Sequence, residues 1–260
     1  MLPYIRPQSA SIRDGSPTTV AHMPTTHRWS LTVPVVGVLI AVAVLPVASL
    51  PSVPAALRES LSYAVVWLPL SAAVALSVRG ATKGRVEPWW RVLRLPISVA
   101  GVVAGLFVGL TARSLGLLLE VLTTGRIGTG SAILSGGAVG VVAGIAIVIA
   151  SIVVAPVLEE LFFRGTLQPA VGERLGLGLW RELVTVLVVA ATFAAVHAVA
   201  GAGLLAALVT FIAGVGFGLV ARSYRVGAAI VAHMVFNASG LAIALSATGL
   251  SPVYPTLALG

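Results

Sequence analysis

Long stretches of the chain carry no charged side chain, and this feature limits its possible folds more than any other. Six such stretches cover positions 29–57, 60–78, 95–112, 127–158, 183–221 and 226–260. A helix that crosses a bilayer needs about 20 mainly apolar residues. Because each stretch supplies close to that length or more, the sequence predicts several membrane-spanning helices.

The composition agrees with a membrane protein and excludes an ordinary soluble enzyme. Of the 260 residues, 58% are hydrophobic and 9% are charged, whereas about a quarter of the residues in a soluble domain are charged. Only helices or closed barrels satisfy the backbone in lipid, and the apolar runs lack the alternation that a barrel requires. The predicted fold class is therefore all-α, a polytopic transmembrane helix bundle in contact with the lipid bilayer.

The charge and the cysteine content exclude further classes of function. The net charge is +8, but the basic residues lie in short clusters between apolar runs. They form no single basic face, so we expect no nucleic-acid partner. The chain has no cysteine, which excludes a disulfide, a thiol nucleophile and a thiolate metal site.

The apolar runs predict seven spans. The run 183–221 is too long for one helix and contains a natural turn at Gly201-Ala202-Gly203. The spans are expected near positions 31–50, 61–78, 95–118, 132–158, 183–200, 203–221 and 226–248. An eighth short segment, in 115–125 or at the C-terminus, stays open.

Basic residues between the spans predict the orientation. The loop 79–94 and the connections 159–182 and 222–225 are rich in arginine, which places them in the cytoplasm by the positive-inside rule. The opposite loops are expected to carry only Arg58, Arg113 and Arg126. The N-terminus is then cytoplasmic, the C-terminus external, and the protein lies in the cell's cytoplasmic membrane.

This pattern divides the chain into four predicted parts. Residues 1–30 form a flexible, polar, cytoplasmic tail that contains His22 and His27. Residues 31–125 form the N-terminal transmembrane helices, and residues 130–248 form a helical core that contains the chemistry-bearing residues. The short C-terminal tail is 249–260.

Polar and ionisable side chains occur inside three of the predicted spans. Each costs about 2.5–3.5 kcal/mol at a helix centre on insertion scales, so each invites a functional hypothesis. The three segments are Glu159-Glu160-Leu161-Phe162-Phe163-Arg164-Gly165, Phe193-Ala194-Ala195-Val196-His197 and His233-Met234-Val235-Phe236-Asn237.

The depth of these side chains can be compared along their helices. At about 1.5 Å per residue, Glu159 lies about 21 Å from Glu173, and His197 lies about 22 Å from Glu182. By the same rise, His233 and Asn237 lie about 12 and 18 Å past Arg225. We therefore expect Glu159, His197, His233 and Asn237 to share one layer in the cytoplasmic half of the membrane.

Other roles remain open for some of these residues. Glu160 and Arg164 have the spacing and order of a helical ion pair, whereas Glu159 projects about 100° away from Glu160. The histidines can serve as packing residues, and Asn237 can bond another helix.

Pro156 and two glycines are expected to shape the helices around these residues. Pro156 predicts a kink beside Glu159 and a polar cavity there. The Gly214 and Gly218 spacing favours close helix packing.

A carboxylate, two imidazoles and a carboxamide in an apolar pocket suit amide hydrolysis. Zinc bound by the histidines and one or two glutamates is an alternative, although the chain has no H-E-x-x-H motif. We therefore expect no metal or other cofactor. A proton or ion transporter is a further alternative, because such residues also form relays in transporters.

The three segments contain E-E-x-x-x-R, F-x-x-x-H and H-x-x-x-N in order on separate spans. Together with Phe211, Gly214, Phe217 and Gly218, they resemble the signature of the CPBP family. That family comprises the CAAX-prenyl endopeptidases and the bacteriocin-processing or self-immunity proteins, also called Abi proteins. The resemblance covers roughly residues 130–245.

This resemblance implies an intramembrane glutamic endopeptidase that acts on a membrane-associated protein or peptide. It implies that Glu159 activates water, that His197 shares proton transfer, and that His233 and Asn237 stabilise the oxyanion. Glu160 and Arg164 resemble a supporting structural pair. Bacterial members generally lack prenylated CAAX substrates, and the Ala/Val/Gly/Arg-rich composition is typical of a GC-rich bacterial genome. A non-catalytic membrane partner or immunity protein of the same fold is the alternative.

Overall fold

The computed structural model describes residues 28–83, 87–127, 141–176 and 178–249. Most of these residues are helical, and none of them forms a strand. The α-helices, in chain order α1 to α10, are Thr32–Val44, Ala55–Thr82, Trp89–Val92, Val99–Thr124, Val141–Ile149, Ala155–Phe162, Gln168–Leu175, Leu179–Val199, Leu204–Tyr224 and Val226–Gly249. A 3₁₀ turn, Leu45–Ser49, extends α1, and π turns Ala150–Val154 and Phe163–Leu167 join α5, α6 and α7.

Seven helical segments are long and apolar enough to cross a membrane, which confirms the predicted all-α polytopic bundle. The spans are Thr32–Ser49, Leu61–Thr82, Val99–Thr124, Gly144–Leu175, Leu179–Val199, Leu204–Tyr224 and Val226–Ser246. The turn between the fifth and sixth spans contains Gly201, whose φ of +102° suits glycine. Positions 115–125 continue the third span up to Thr124 and form no separate eighth segment.

Three predicted features lie wholly or largely outside the described residues. These are the N-terminal tail up to residue 27, the start of the fourth span at 132–140, and the C-terminal tail from residue 250.

The assignment of Arg113 to a loop was wrong. The helix α4 runs without a break from Val99 to Thr124, so Arg113 lies in the middle of a span. The sequence prediction ended the apolar run at this arginine. In the structure, hydrogen bonds to a neighbouring helix accommodate the charge of Arg113.

Small residues bring α4 against α10. The buried positions of α4 recur at every third or fourth residue, and most of them are glycine. A Cβ atom on Gly105 would lie 2.6 Å from the Ala228 carbonyl oxygen, and one on Gly109 would collide with the Ala232 carbonyl oxygen. The two backbones therefore approach closely, as small residues allow in membranes.

Glycines of α9 make a second close contact, as predicted. A Cβ on Gly214 would lie 3.3 Å from the Ala190 Cβ, and one on Gly218 would lie 2.9 Å from a Val186 methyl group. Both partners belong to α8. The Gly214 and Gly218 spacing thus serves packing between α8 and α9.

The fourth span stays helical from Gly144 to Leu175 because two π turns accommodate its prolines. Each π turn ends two residues before a proline, Pro156 and Pro169 respectively. At Ala155 the backbone N–H donates to the Ala150 carbonyl, five residues back. Pro156 has no N–H with which to continue this pattern. Such turns are frequent at functional sites.

We expect Gly109→Val to destabilise the bundle, because the added methyl groups collide with the α10 backbone. Overpacking of this kind costs about 1–3 kcal/mol, so the unfolding temperature of the detergent-solubilised protein should fall. Gly144→Ala is the matched control, since its Cβ would meet no atom within 4 Å. Equal unfolding temperatures for Gly109→Val and the wild-type protein would contradict the close approach of α4 and α10.

Candidate active site

A cavity of about 330 Å³ lies within the bundle. The side chains of Glu159, His197, His233 and Asn237 all line it. They come from α6, α8 and α10, within three different spans. The structure therefore brings together the four side chains that the sequence placed in one layer.

Glu159 lies between the two imidazole rings. Its Oε2 atom is 3.9 Å from His197 Nε2 and 3.8 Å from His233 Nε2. These separations are too long for direct hydrogen bonds. A water oxygen at about 2.8 Å from each atom fits between the carboxylate and either ring. The Glu159 side chain is 15% exposed, so it reaches the cavity although its helix is packed.

His197 is oriented by its own helix. Its Nδ1 lies 2.9 Å from the carbonyl oxygen of Phe193, one turn earlier. A carbonyl only accepts hydrogen bonds, so Nδ1 carries the proton, and in the neutral ring Nε2 presents a lone pair. The Phe193 ring also packs edge-on against the imidazole, with centroids 4.5 Å apart. The F-x-x-x-H spacing thus sets both the position of the ring and its tautomer.

His233 is oriented by Glu160. Its Nδ1 lies 2.9 Å from Glu160 Oε1, and its ring stacks on Phe217 with centroids 4.7 Å apart. Because this carboxylate is paired with Arg164, it accepts a hydrogen bond from Nδ1–H, and Nε2 faces Glu159. Glu160 is therefore more than an ion-pair partner, since it also fixes the ring beside Glu159.

The predicted ion pair of Glu160 and Arg164 is present and fully enclosed. Arg164 Nη1 lies 3.1 Å from Glu160 Oε1, with both side chains 0% exposed. Arg164 Nη2 donates to the carbonyl oxygen of Gly214 at 2.9 Å. The guanidinium also lies 4.8 Å from the ring centroid of Phe193 and 5.6 Å from that of Phe217. The charge is thus balanced by a carboxylate, a carbonyl and aromatic faces.

Asn237 is held by a backbone carbonyl that Pro156 leaves unbonded. In the π pattern, the residue at position 156 would donate to Ser151, but proline cannot. The Asn237 Nδ2 atom donates to the Ser151 carbonyl instead, at 2.8 Å. This bond uses one of the two amide hydrogens of Asn237 and leaves the other outside the bond.

Two charged residues of the N-terminal half also line the cavity, and the sequence reasoning missed them. Arg113 donates twice to the Phe236 carbonyl, at 3.1 and 2.9 Å, and its guanidinium covers the Phe236 ring at 3.8 Å. Glu120 is 7% exposed and lies seven residues further along α4. Two turns of helix separate positions seven apart, so this spacing places both on one face. This helical spacing was the signal in the sequence that could have identified Arg113 and Glu120.

His22 and His27 lie outside the described residues. Within the described ranges, no group of three or more His, Asp or Glu side chains is arranged to hold a metal ion.

Comparison with protein-family models matched residues 140–239 to the type II CAAX prenyl endopeptidase Rce1-like family. The matched segment contains Glu159, His197, His233 and Asn237, which all line the cavity. Searches of the curated proteins and of the solved structures found no match. The family match confirms the resemblance that the motifs predict, since over residues 140–239 this multi-pass membrane chain is similar to the Rce1-like CAAX prenyl endopeptidases, a family of proteases.

Proposed function

We propose that this protein is a glutamic-type intramembrane endopeptidase, which hydrolyses a peptide bond of a membrane-associated protein or peptide. The observation that carries the proposal is the position of Glu159, whose Oε2 lies 3.8–3.9 Å from two oriented imidazoles inside a membrane span. The family match supports the reaction class. The location of the cavity supports a substrate that reaches the enzyme from the membrane.

In this mechanism Glu159 is the general base. A water between Glu159 and His197 loses a proton to the carboxylate as its oxygen attacks the carbonyl carbon. The neutral His197 presents the Nε2 lone pair to the same water, because Nδ1 is bonded to Phe193. It therefore orients the water and shares the proton. The proton then passes to the leaving amine as the C–N bond breaks, so the products are a carboxylate and an amine.

Asn237 and His233 stabilise the oxyanion in this proposal. The Ser151 carbonyl holds the Asn237 amide in place, and the second amide hydrogen of Asn237 is the proposed donor to the oxyanion. His233 can donate from Nε2 only as the imidazolium, since Nδ1 already donates to Glu160. Preorganised donors of this kind contribute most where water is excluded.

The distribution of basic residues also supports a cellular location and a membrane orientation for the protein. The fourth span continues to Leu175, so the assignment of residues 159–175 to a connection was wrong. We propose that the protein lies in the cytoplasmic membrane with its N-terminus in the cytoplasm, because the basic residues of the loop 79–94 and those near the junctions of spans four and five and of spans six and seven lie on one side of the seven spans. Glu159 is the sixteenth of the 32 residues described for the fourth span, so it lies near the middle of that span. A non-catalytic protein of the same fold would not need the Glu159 carboxylate, and this difference can be tested.

We expect Glu159→Gln to abolish proteolysis without unfolding the protein. The amide keeps the size of the side chain but cannot accept a proton, and loss of general-base catalysis costs about 10²- to 10⁴-fold in rate. The measurement is a comparison of new protein termini in membranes that contain the wild-type protein or the variant. Glu182→Gln is the matched control, because Glu182 pairs with Arg222 at the surface, away from the cavity.

Folding of both variants is checked by their unfolding temperatures in detergent. The same set of termini in membranes with wild-type protein and with Glu159→Gln would overturn the proposal. It would favour the non-catalytic reading of this fold.

We also expect the activity to survive removal of metal ions, because the proposed base acts directly on water. Purified protein is treated with a zinc chelator in excess and assayed for cleavage of the peptide identified from the new termini. Unchanged turnover is the expected result. Loss of turnover that added Zn²⁺ restores would support the zinc-dependent alternative, with the histidines as ligands.

A further inference from the structure

A second cavity, of about 340 Å³, lies apart from the first. It is an open hollow bordered by the start of the described chain, the end of α2 and the end of α7. The two cavities share no lining residue. The end of α2 leads into the arginine-rich loop 79–94, so the positive-inside rule predicts that this cavity faces the cytoplasm.

Three basic side chains line this cavity, and each comes from a different segment. They are Arg28, Lys83 and Arg174. Within the described part of the chain, none of them forms an ion pair with a carboxylate. Three cations around one hollow repel one another, and an anion in the hollow removes that repulsion.

The hydroxyl group of Ser77 gives an independent indication of a ligand. Ser77 is 4% exposed, lines the cavity, and its Oγ has no hydrogen-bond partner within the described residues. Other serines in these helices donate to the carbonyl four residues back, as Ser151 and Ser239 do. A buried hydroxyl normally has a partner. The Ser77 hydroxyl is therefore an unpartnered buried donor at the wall of this cavity.

The N-terminal side of the cavity is fixed in place. The backbone N–H of Trp29 donates to Glu173 Oε2 at 2.8 Å, and the indole is 8% exposed. It packs in a cluster with Ala170 and Leu93. This contact holds Arg28 beside the neighbouring helices, although it also brings one carboxylate, that of Glu173, close to the basic groups.

We propose that this cavity binds a phosphate ester, which is the chemistry of an anionic phospholipid headgroup. Lysine and arginine side chains and a hydroxyl donor are the groups that bind phosphate oxygens. Val33 and Leu76 supply an apolar wall beside them. Basic pockets between transmembrane helices on the cytoplasmic side bind anionic headgroups. The bound phosphate links the start of α1 to the ends of α2 and α7, and so stabilises the fold independently of proteolysis.

The experiment measures unfolding temperature in mixed micelles. The full-length protein is compared with phosphatidylglycerol, with phosphatidylcholine, and with inorganic phosphate alone. A ligand that binds only the folded state raises the unfolding temperature. The test variant is Lys83→Gln/Arg174→Gln, and Arg91→Gln is the matched control, because Arg91 is an exposed basic residue near the same loop that does not line the cavity.

We expect phosphatidylglycerol to stabilise the wild-type protein and Arg91→Gln by several degrees, and phosphatidylcholine to have no such effect. Removal of two charge-assisted contacts should weaken binding by about 10- to 100-fold, so the double variant should lose the shift. A shift with inorganic phosphate alone would support the same site with a free phosphate as its ligand. An equal shift in the double variant, or none in the wild-type protein, would overturn the proposal.

A second variant keeps the test decisive if the double variant does not fold. Gly80 lines the cavity, and a Cβ there would meet no atom within 4 Å. Gly80→Leu should therefore fold, fill part of the hollow, and reduce the shift with phosphatidylglycerol. A full shift in Gly80→Leu would place the lipid elsewhere and overturn the proposal.

Discussion

The buried charge of Arg164 is the constraint on which the rest of the structure depends. An ion inside a helix bundle is costly unless it is paired and its hydrogen bonds are satisfied. Glu160 supplies the opposite charge, and the Gly214 carbonyl supplies a further acceptor. The ion pair and this hydrogen bond therefore tie the π turn Phe163–Leu167 to α9.

The same network makes two neighbouring carboxylates different. Glu160 is completely buried and bonded to Arg164 and His233. Glu159 lies one position earlier and reaches the cavity. Neither imidazole lies within hydrogen-bond distance of its carboxylate. One carboxylate therefore organises the site, while the other remains available to a water and a substrate. Neighbouring positions on a helix point about 100° apart, which is the physical origin of this division.

Proline and glycine give the bundle its polar interior without breaking its helices. Pro156 leaves the Ser151 carbonyl without a backbone donor, and Asn237 from another span bonds to it. Pro169 is accommodated by a second π turn, so α7 continues toward the basic second cavity. Missing backbone hydrogen bonds in a membrane must be replaced by protein groups. Here the replacement ties the fourth span to the seventh.

The sequence by itself determined the all-α class, the seven spans and the candidate side chains, because charge is so costly in lipid that both its absence and its presence are informative. Only the tertiary structure showed that Glu160 orients His233 and that Arg113 lies in a span beside the cavity. Helical periodicity places a residue on a face of its own helix, but it contains no information about which helix that face meets. Those contacts depend on packing between spans distant in the chain.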